Sequence, residues 1–344
     1  MVKRINIALQ GGGAHGAFTW GVLDRLLDDP EIEIVAISGT SAGALNGAAL
    51  KSGLVHKGRQ GARDNLDWLW EQFGGLNDLR LAHWMAAFSP TAAMVTKAIE
   101  MSPGFLASDA VSRLVSPYDY GPFYFNPLER IVRRFHYDTV CAAEGPRLFI
   151  STTNVRTGKI RVFTGDEIHT DVILASSCLP TVFKALEFKD PRTGKVEAFW
   201  DGGYTGNPAL WPLYEPEFPD DIVIVNINPL VRDEVPKTPQ EIENRVNEIS
   251  FNASLLQELR SIQFVRELIA EGRMEEGRMK NVRVHMIADD DLMNDLSVAT
   301  KMVPTPSVLW MLREAGSNAA DKFLTDHKAD LNVNNTVNLE KMFG

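Results

Sequence analysis

Residues 6–27 read "NIALQGGGAHGAFTWGVLDRLL", and the meaning of the glycines at their centre decides the fold. A short apolar strand precedes them. Phe18, Val22, Leu23, Leu26 and Leu27 follow at helical spacing. Gly11-x-Gly13-x-x-Gly16 matches the dinucleotide-binding fingerprint literally. The same loop could instead present backbone N–H groups to a developing oxyanion. Residues 31–38, "EIEIVAIS", read as a second strand, and a helix from Ala42, stopped at Gly53, is expected after it. A β-α-β-α start of this kind predicts a parallel sheet covered by helices.

A dinucleotide site requires an acidic residue near the end of the second strand, where it meets the ribose hydroxyls. Glu31 and Glu33 lie at the beginning of that strand instead. Its end is followed by Gly39-Thr40-Ser41-Ala42-Gly43, a G-x-S-x-G nucleophile elbow. The elbow puts a serine on a sharp strand-to-helix turn with its Oγ exposed. The helix that follows turns its positive end toward that oxygen. Gly11, Gly12 and Gly13 end the neighbouring strand on the same sheet edge, so they could supply the oxyanion donors.

The base is left open by the residues themselves. Seven histidines are present, and only His15 lies in a distinctive context, inside the glycine loop. Residues 198–208, "AFWDGGYTGNP", place Asp201 at a strand end before two glycines. Asp-Gly-Gly is ordinary turn chemistry. A carboxylate whose pKa is raised by burial can also act as base to a serine.

Together these blocks resemble the patatin-like phospholipase family. The resemblance rests on Gly11-Gly12-Gly13-Ala14-His15-Gly16, on Gly39 to Gly43, and on Asp201-Gly202-Gly203. Two further blocks add to it: "ASSCLPTVF" (175–183), with Pro180 after small residues, and Asn207-Pro208 after the Asp-Gly-Gly. It spans roughly residues 4–228. It implies a three-layer α/β/α fold with a mainly parallel central sheet, a Ser41–Asp201 dyad without histidine, an oxyanion hole at Gly11–Gly13, and neither metal nor cofactor. It implies hydrolysis of lipid or phospholipid acyl esters through an acyl-serine. One departure stands out, because the family loop commonly has Arg or Lys where this chain has His15. A histidine there carries charge only when protonated, ordinarily below about pH 6.5. Alternatives on the same motifs are an acyltransferase, a thioesterase, and a catalytically silent lipid-binding or interaction protein.

The rest of the chain sets the frame. The apolar fraction of 44% and charged fraction of 23% are those of a globular protein. A net charge of −10 argues against nucleic acid as partner and makes any transient membrane-surface contact local and apolar. Two cysteines and no apolar run long enough to span a bilayer predict a cytoplasmic protein, with signal-less export left open. Residues 1–228 are expected to form the catalytic core. Within it, residues 55–128 hold 11 of the 30 aromatics and read as a helical insertion, either an acyl-chain cap or a subdomain with its own core. Hairpins are expected across Arg156-Thr157-Gly158 and across residues 189–195. Residues 229–344 read as mainly helical, with a long helix at about 239–278 and one further strand near 281–287, packed on the same domain.

Overall fold

In a computed structural model of the chain, residues 2–74, 91–103, 115–275 and 277–343 are described. Eight strands form one sheet: β1 (Lys3–Leu9), β2 (Ile32–Gly39), β3 (Arg147–Asn154), β4 (Ile160–Thr164), β5 (Leu186–Lys189), β6 (Val196–Asp201), β7 (Asp221–Val225) and β8 (Arg283–Ile287). The spatial order is β5-β6-β3-β2-β1-β7-β8, with β4 also paired to β3. Strands β3, β2, β1, β7 and β8 run parallel, and β4, β5 and β6 join antiparallel. The apolar run of β7, buried at every position, is what a central parallel strand requires.

Strand periodicity divides the core between two faces. Ile5, Ile7 and Leu9 of β1 and Val223 and Val225 of β7 share one apolar cluster with three helices: α1 (Gly16–Asp28), α2 (Ala42–Gly74) and a long C-terminal helix at Pro306–His327. Ala8, Ile222 and Ile224 point the other way. They meet Leu255, Leu259 and Ile262 of a second long helix at Pro239–Ala270. Helices on both faces of a mainly parallel sheet make a three-layer α/β/α fold.

Both hairpins form where expected, β3–β4 and β5–β6, with Gly158 and Gly194 at positive φ in their turns. The helix after Ser41 corrects one expectation. It passes Gly53 and breaks only at Lys57 and Gly58, both non-helical, after which a second helical half continues to Gly74. Gly53 is instead where the two halves of α2 touch, since a Cβ there would meet the Gly61 carbonyl. The long helix near 239–278 ends earlier than expected, at Ala270, just before Gly272 at positive φ.

The expected insertion at 55–128 divides. Residues 59–74 complete α2, and Trp70 is buried in the main core, stacked on Trp20. Trp84, Phe88 and Phe105 lie outside the described residues. Tyr118, Tyr120 and Phe125 are exposed. Beyond residue 228 the chain remains on the same sheet: β8 pairs with β7, and Gly316 packs so closely on α1 that a Cβ would meet the Phe18 carbonyl.

Candidate active site

The parallel strands β1, β2 and β7 end on one edge of the sheet, and the polar residues of the site follow those ends. Thr40 and Ser41 are the two residues between β2 and α2. The Ser41 φ of 53° is the strained left-handed conformation, which a non-glycine residue rarely adopts. The turn is closed by the Gly43 N–H donating to the Thr40 carbonyl at 2.7 Å. Gly43 must lack a side chain, because a Cβ there would meet the backbone carbonyl of Leu9. The Ser41 N–H donates to Ser176 Oγ at 2.9 Å, and the Ser176 hydroxyl donates to the Ser151 carbonyl at 2.8 Å. The small-residue block before Pro180 therefore props the elbow from behind. Ser41 is 8% exposed.

Asp201 ends β6 and is 1% exposed. Its backbone is held on both sides: its N–H donates to the Cys178 carbonyl at 2.9 Å, and Thr153 Oγ1 donates to its carbonyl at 2.8 Å. Oδ1 accepts the Gly203 N–H at 2.7 Å as the cap of the short Gly202–Tyr204 turn, while Oδ2 is buried with no partner of hydrogen-bond geometry. Burial pushes the carboxyl up to about 7, against the opposing pull of the Gly203 N–H and the Ser41 side chain. Near neutral pH the group is thus poised between an acceptor of a proton and its acid.

The glycine loop crosses directly over the elbow. A Cβ on Gly11 would lie 2.7 Å from Ser41 Cβ and 2.9 Å from the Thr40 carbonyl oxygen. The Gly11 N–H donates to Asn207 Oδ1 at 2.6 Å, in the segment whose Asn207–Pro208 bond is cis. The Gly11 carbonyl accepts from Asn228 Nδ2 at 2.8 Å. Among the described residues no acceptor is bound to the N–H groups of Gly12 and Gly13. Gly16 opens α1 close against Ala42, and Gly39 leaves β2 close against Gly43.

His15 faces the interior. It is 2% exposed, its Nε2 lies 2.8 Å from Thr300 Oγ1, and its Nδ1 has no partner. Burial, helped by the positive charge of Lys301, holds its pKa well below the ordinary histidine value. It is neutral at physiological pH and carries no cation toward a headgroup. Cys178, also buried, has its thiol pushed up to about 12 by burial and by Asp201 beside it, so it is packing rather than a nucleophile.

The structure brings Ser41, Asp201, the glycine loop and Asn207 together, and it adds residues that motif reading missed. Gln10 accepts the N–H groups of Ile227 and Asn228 at 2.8 and 3.1 Å and donates to Asn252 at 3.1 Å, lacing the ends of β1 and β7. Asn226 and Asn228, directly after the apolar run of β7, were the available signal: polar residues at a third strand end on the same edge.

The structure thus sets a serine on a strained turn, a facing glycine loop and a buried aspartate at one edge of a three-layer α/β/α fold. The chain belongs to the patatin-like phospholipase family, whose model matches residues 7–214. Members of that family are lipid hydrolases. Two solved structures show similarity. VipD from Legionella pneumophila is 15% identical over 94% of this chain and 67% of its own, with a TM-score of 0.43. ExoU of Pseudomonas aeruginosa, in complex with SpcU, is 16% identical over 93% of this chain and 53% of its own, with a TM-score of 0.34. The chain thus spans about half the length of that second structure. No curated protein sequence matches.

Proposed function

We propose that the protein hydrolyses acyl esters of lipids with Ser41 as nucleophile and Asp201 as its base. The observation that carries this is a buried carboxylate, one oxygen without a partner of hydrogen-bond geometry, on which the side chain of a serine held on a strained turn acts. Asp201, in its ionised form, accepts the Ser41 proton as Oγ attacks the ester carbonyl. The tetrahedral oxyanion is received by the N–H groups of Gly12 and Gly13. Gly11, whose own N–H is held by Asn207, acts as the spacer that lets the loop lie against Ser41. The protonated Asp201 returns its proton to the leaving alcohol or lysolipid, then activates the water that cleaves the acyl-serine. The positive end of α2 adds to the stabilisation of charge at Oγ.

The substrate belongs to a water–lipid boundary, and the exposed Tyr204 and Trp211, close in sequence to Asp201, supply apolar contact for a transient approach to it. Among the described residues no helix is long and apolar enough to cross a membrane. The test is hydrolysis of a p-nitrophenyl acyl ester and of a phospholipid panel, beside labelling with a fluorophosphonate. Ser41→Ala abolishes both turnover and labelling. Asp201→Asn lowers turnover by a factor of about 10⁴. Full activity in either variant would overturn the dyad.

A further inference from the structure

The oxyanion loop is joined to a cation from a distant part of the chain. Lys301 sits in the short helix Val298–Met302, well beyond residues 7–214. That helix is fitted against the loop: a Cβ on Gly13 would meet the Lys301 carbonyl, and its neighbour Thr300 contacts His15. Lys301 Nζ donates to Asn228 Oδ1 at 2.8 Å, and Asn228 Nδ2 donates to the Gly11 carbonyl at 2.8 Å. The peptide that receives this bond is the one whose N–H belongs to Gly12. A relay therefore runs from the ammonium, through one side-chain amide, to the Gly11–Gly12 peptide of the loop that lies against Ser41.

We propose that Lys301 is a positioning residue that acts through Asn228 to polarise the Gly11–Gly12 peptide, so that the Gly12 N–H meets the oxyanion as a stronger and better-fixed donor. Each bond in such a chain draws electron density toward the cation, and in a water-poor site the effect of a charge at its end is large. The loop needs this help because its own position 15 holds a neutral, inward-facing histidine. The ammonium is free for the role. Glu248, the nearest carboxylate acting on it, is engaged by Arg232 at 2.6 Å and Arg245 at 3.3 Å. This inference rests on the ester-hydrolase reading of Ser41 and Asp201.

A pH signature follows. Burial, with Arg232 adding to it and Glu248 opposing it, pushes Lys301 down to about 8. The titratable group that faces it from the loop is His15, which is neutral, and Arg245 is paired to Glu248. Helix Ala92–Glu100, whose charged residues are Lys97 and Glu100, packs nearby, with Thr96 Oγ1 donating to the Asp295 carbonyl. Turnover requires Asp201 ionised and is faster with Lys301 protonated, so kcat/KM rises with a limb near 7 and falls to a lower plateau with a limb near 8.

The experiment is kcat and KM against pH for wild type, Lys301→Met, Lys301→Arg and Asn228→Leu, with melting temperatures alongside. The expected result is that Lys301→Met loses about tenfold in kcat with KM within about twofold, and loses the alkaline limb. Lys301→Arg recovers most of the rate and carries the limb beyond pH 10, because a guanidinium does not titrate there. Asn228→Leu loses as much as Lys301→Met, and the double variant loses no more than either. Unchanged kcat and an unchanged alkaline limb in Lys301→Met would overturn the relay. Should that variant fail to fold, an alkaline limb that stays near 8 in a folded Lys301→Arg would do the same. Absence of Ser41-dependent turnover in the wild type would overturn the hydrolase reading itself.

Discussion

Asp201→Asn is predicted to make the protein more stable while disabling it, and the gain should grow with pH. The carboxyl stands at about 7 in the folded chain against an ordinary 3.8, and the first cause is burial. A group raised in this way costs the fold nothing below its unfolded pKa. The penalty builds between pH 4 and 7 and is complete above that window. At pH 8 it amounts to about 4 kcal/mol, and at pH 5 to about 2 kcal/mol. Asparagine is close to isosteric and keeps an oxygen for the Gly203 N–H. Its amide nitrogen replaces the unpartnered Oδ2, a cost that does not vary with pH, so the difference between the two pH values isolates the carboxylate. For 344 residues the unfolding entropy is about 0.7 kcal/mol per kelvin, so the gap in Tm between variant and wild type widens by about 3–4 °C from pH 5 to pH 8. Differential scanning calorimetry at the two pH values reads this directly. A gap that is constant or narrows with pH would show that Asp201 is well solvated, and the case for it as a poised base would fail with it.

Three further outcomes are expected. Gly11→Ala brings a methyl group to 2.7 Å from Ser41 Cβ and 2.9 Å from the Thr40 carbonyl, so the loop must retreat. The kcat for a p-nitrophenyl ester should fall about 10²-fold or more with the circular dichroism spectrum intact, and wild-type turnover would refute the close approach. His15→Gln should keep the acid limb of the pH–rate profile in place, because burial holds the imidazole well below its ordinary pKa; disappearance of the limb would make His15 the titrating group. Arg161→Met leaves Asp190, buried, and Glu167 without the guanidinium that binds both, at 2.9 and 2.8 Å. Stability should fall by about 3–5 kcal/mol, read by urea unfolding with esterase activity below the transition unchanged.

The residues of the two glycine motifs were legible as a strand–turn–helix pair because their chemistry is local. An elbow needs its glycines within two residues of the serine, and a parallel sheet needs apolar strands separated by helices. Short-range sterics impose both requirements, and they are written in adjacent letters. The same holds for the two hairpins, whose glycines stand where positive φ is required. The break in α2 falls at Lys57 and Gly58, four residues past the expected stop, for a related reason. Gly53 has the composition of a stop, yet it serves a contact with Gly61 that no local pattern announces.

The order of motifs along the chain, with its resemblance to a known family, thus determined the α/β/α class and named Ser41, Asp201 and the glycine loop. The tertiary structure decided the surroundings of each, its burial and its hydrogen-bond partners. It is the burial around Asp201 that lifts its pKa to about 7, and Asn207, 196 residues away, that takes the Gly11 N–H and leaves those of Gly12 and Gly13. It is the packing of residues 298–302 on the loop that keeps His15 neutral and sets Lys301 behind Asn228. Desolvation and hydrogen-bond partnership depend on which distant segments meet, and a chain records that only once it is folded.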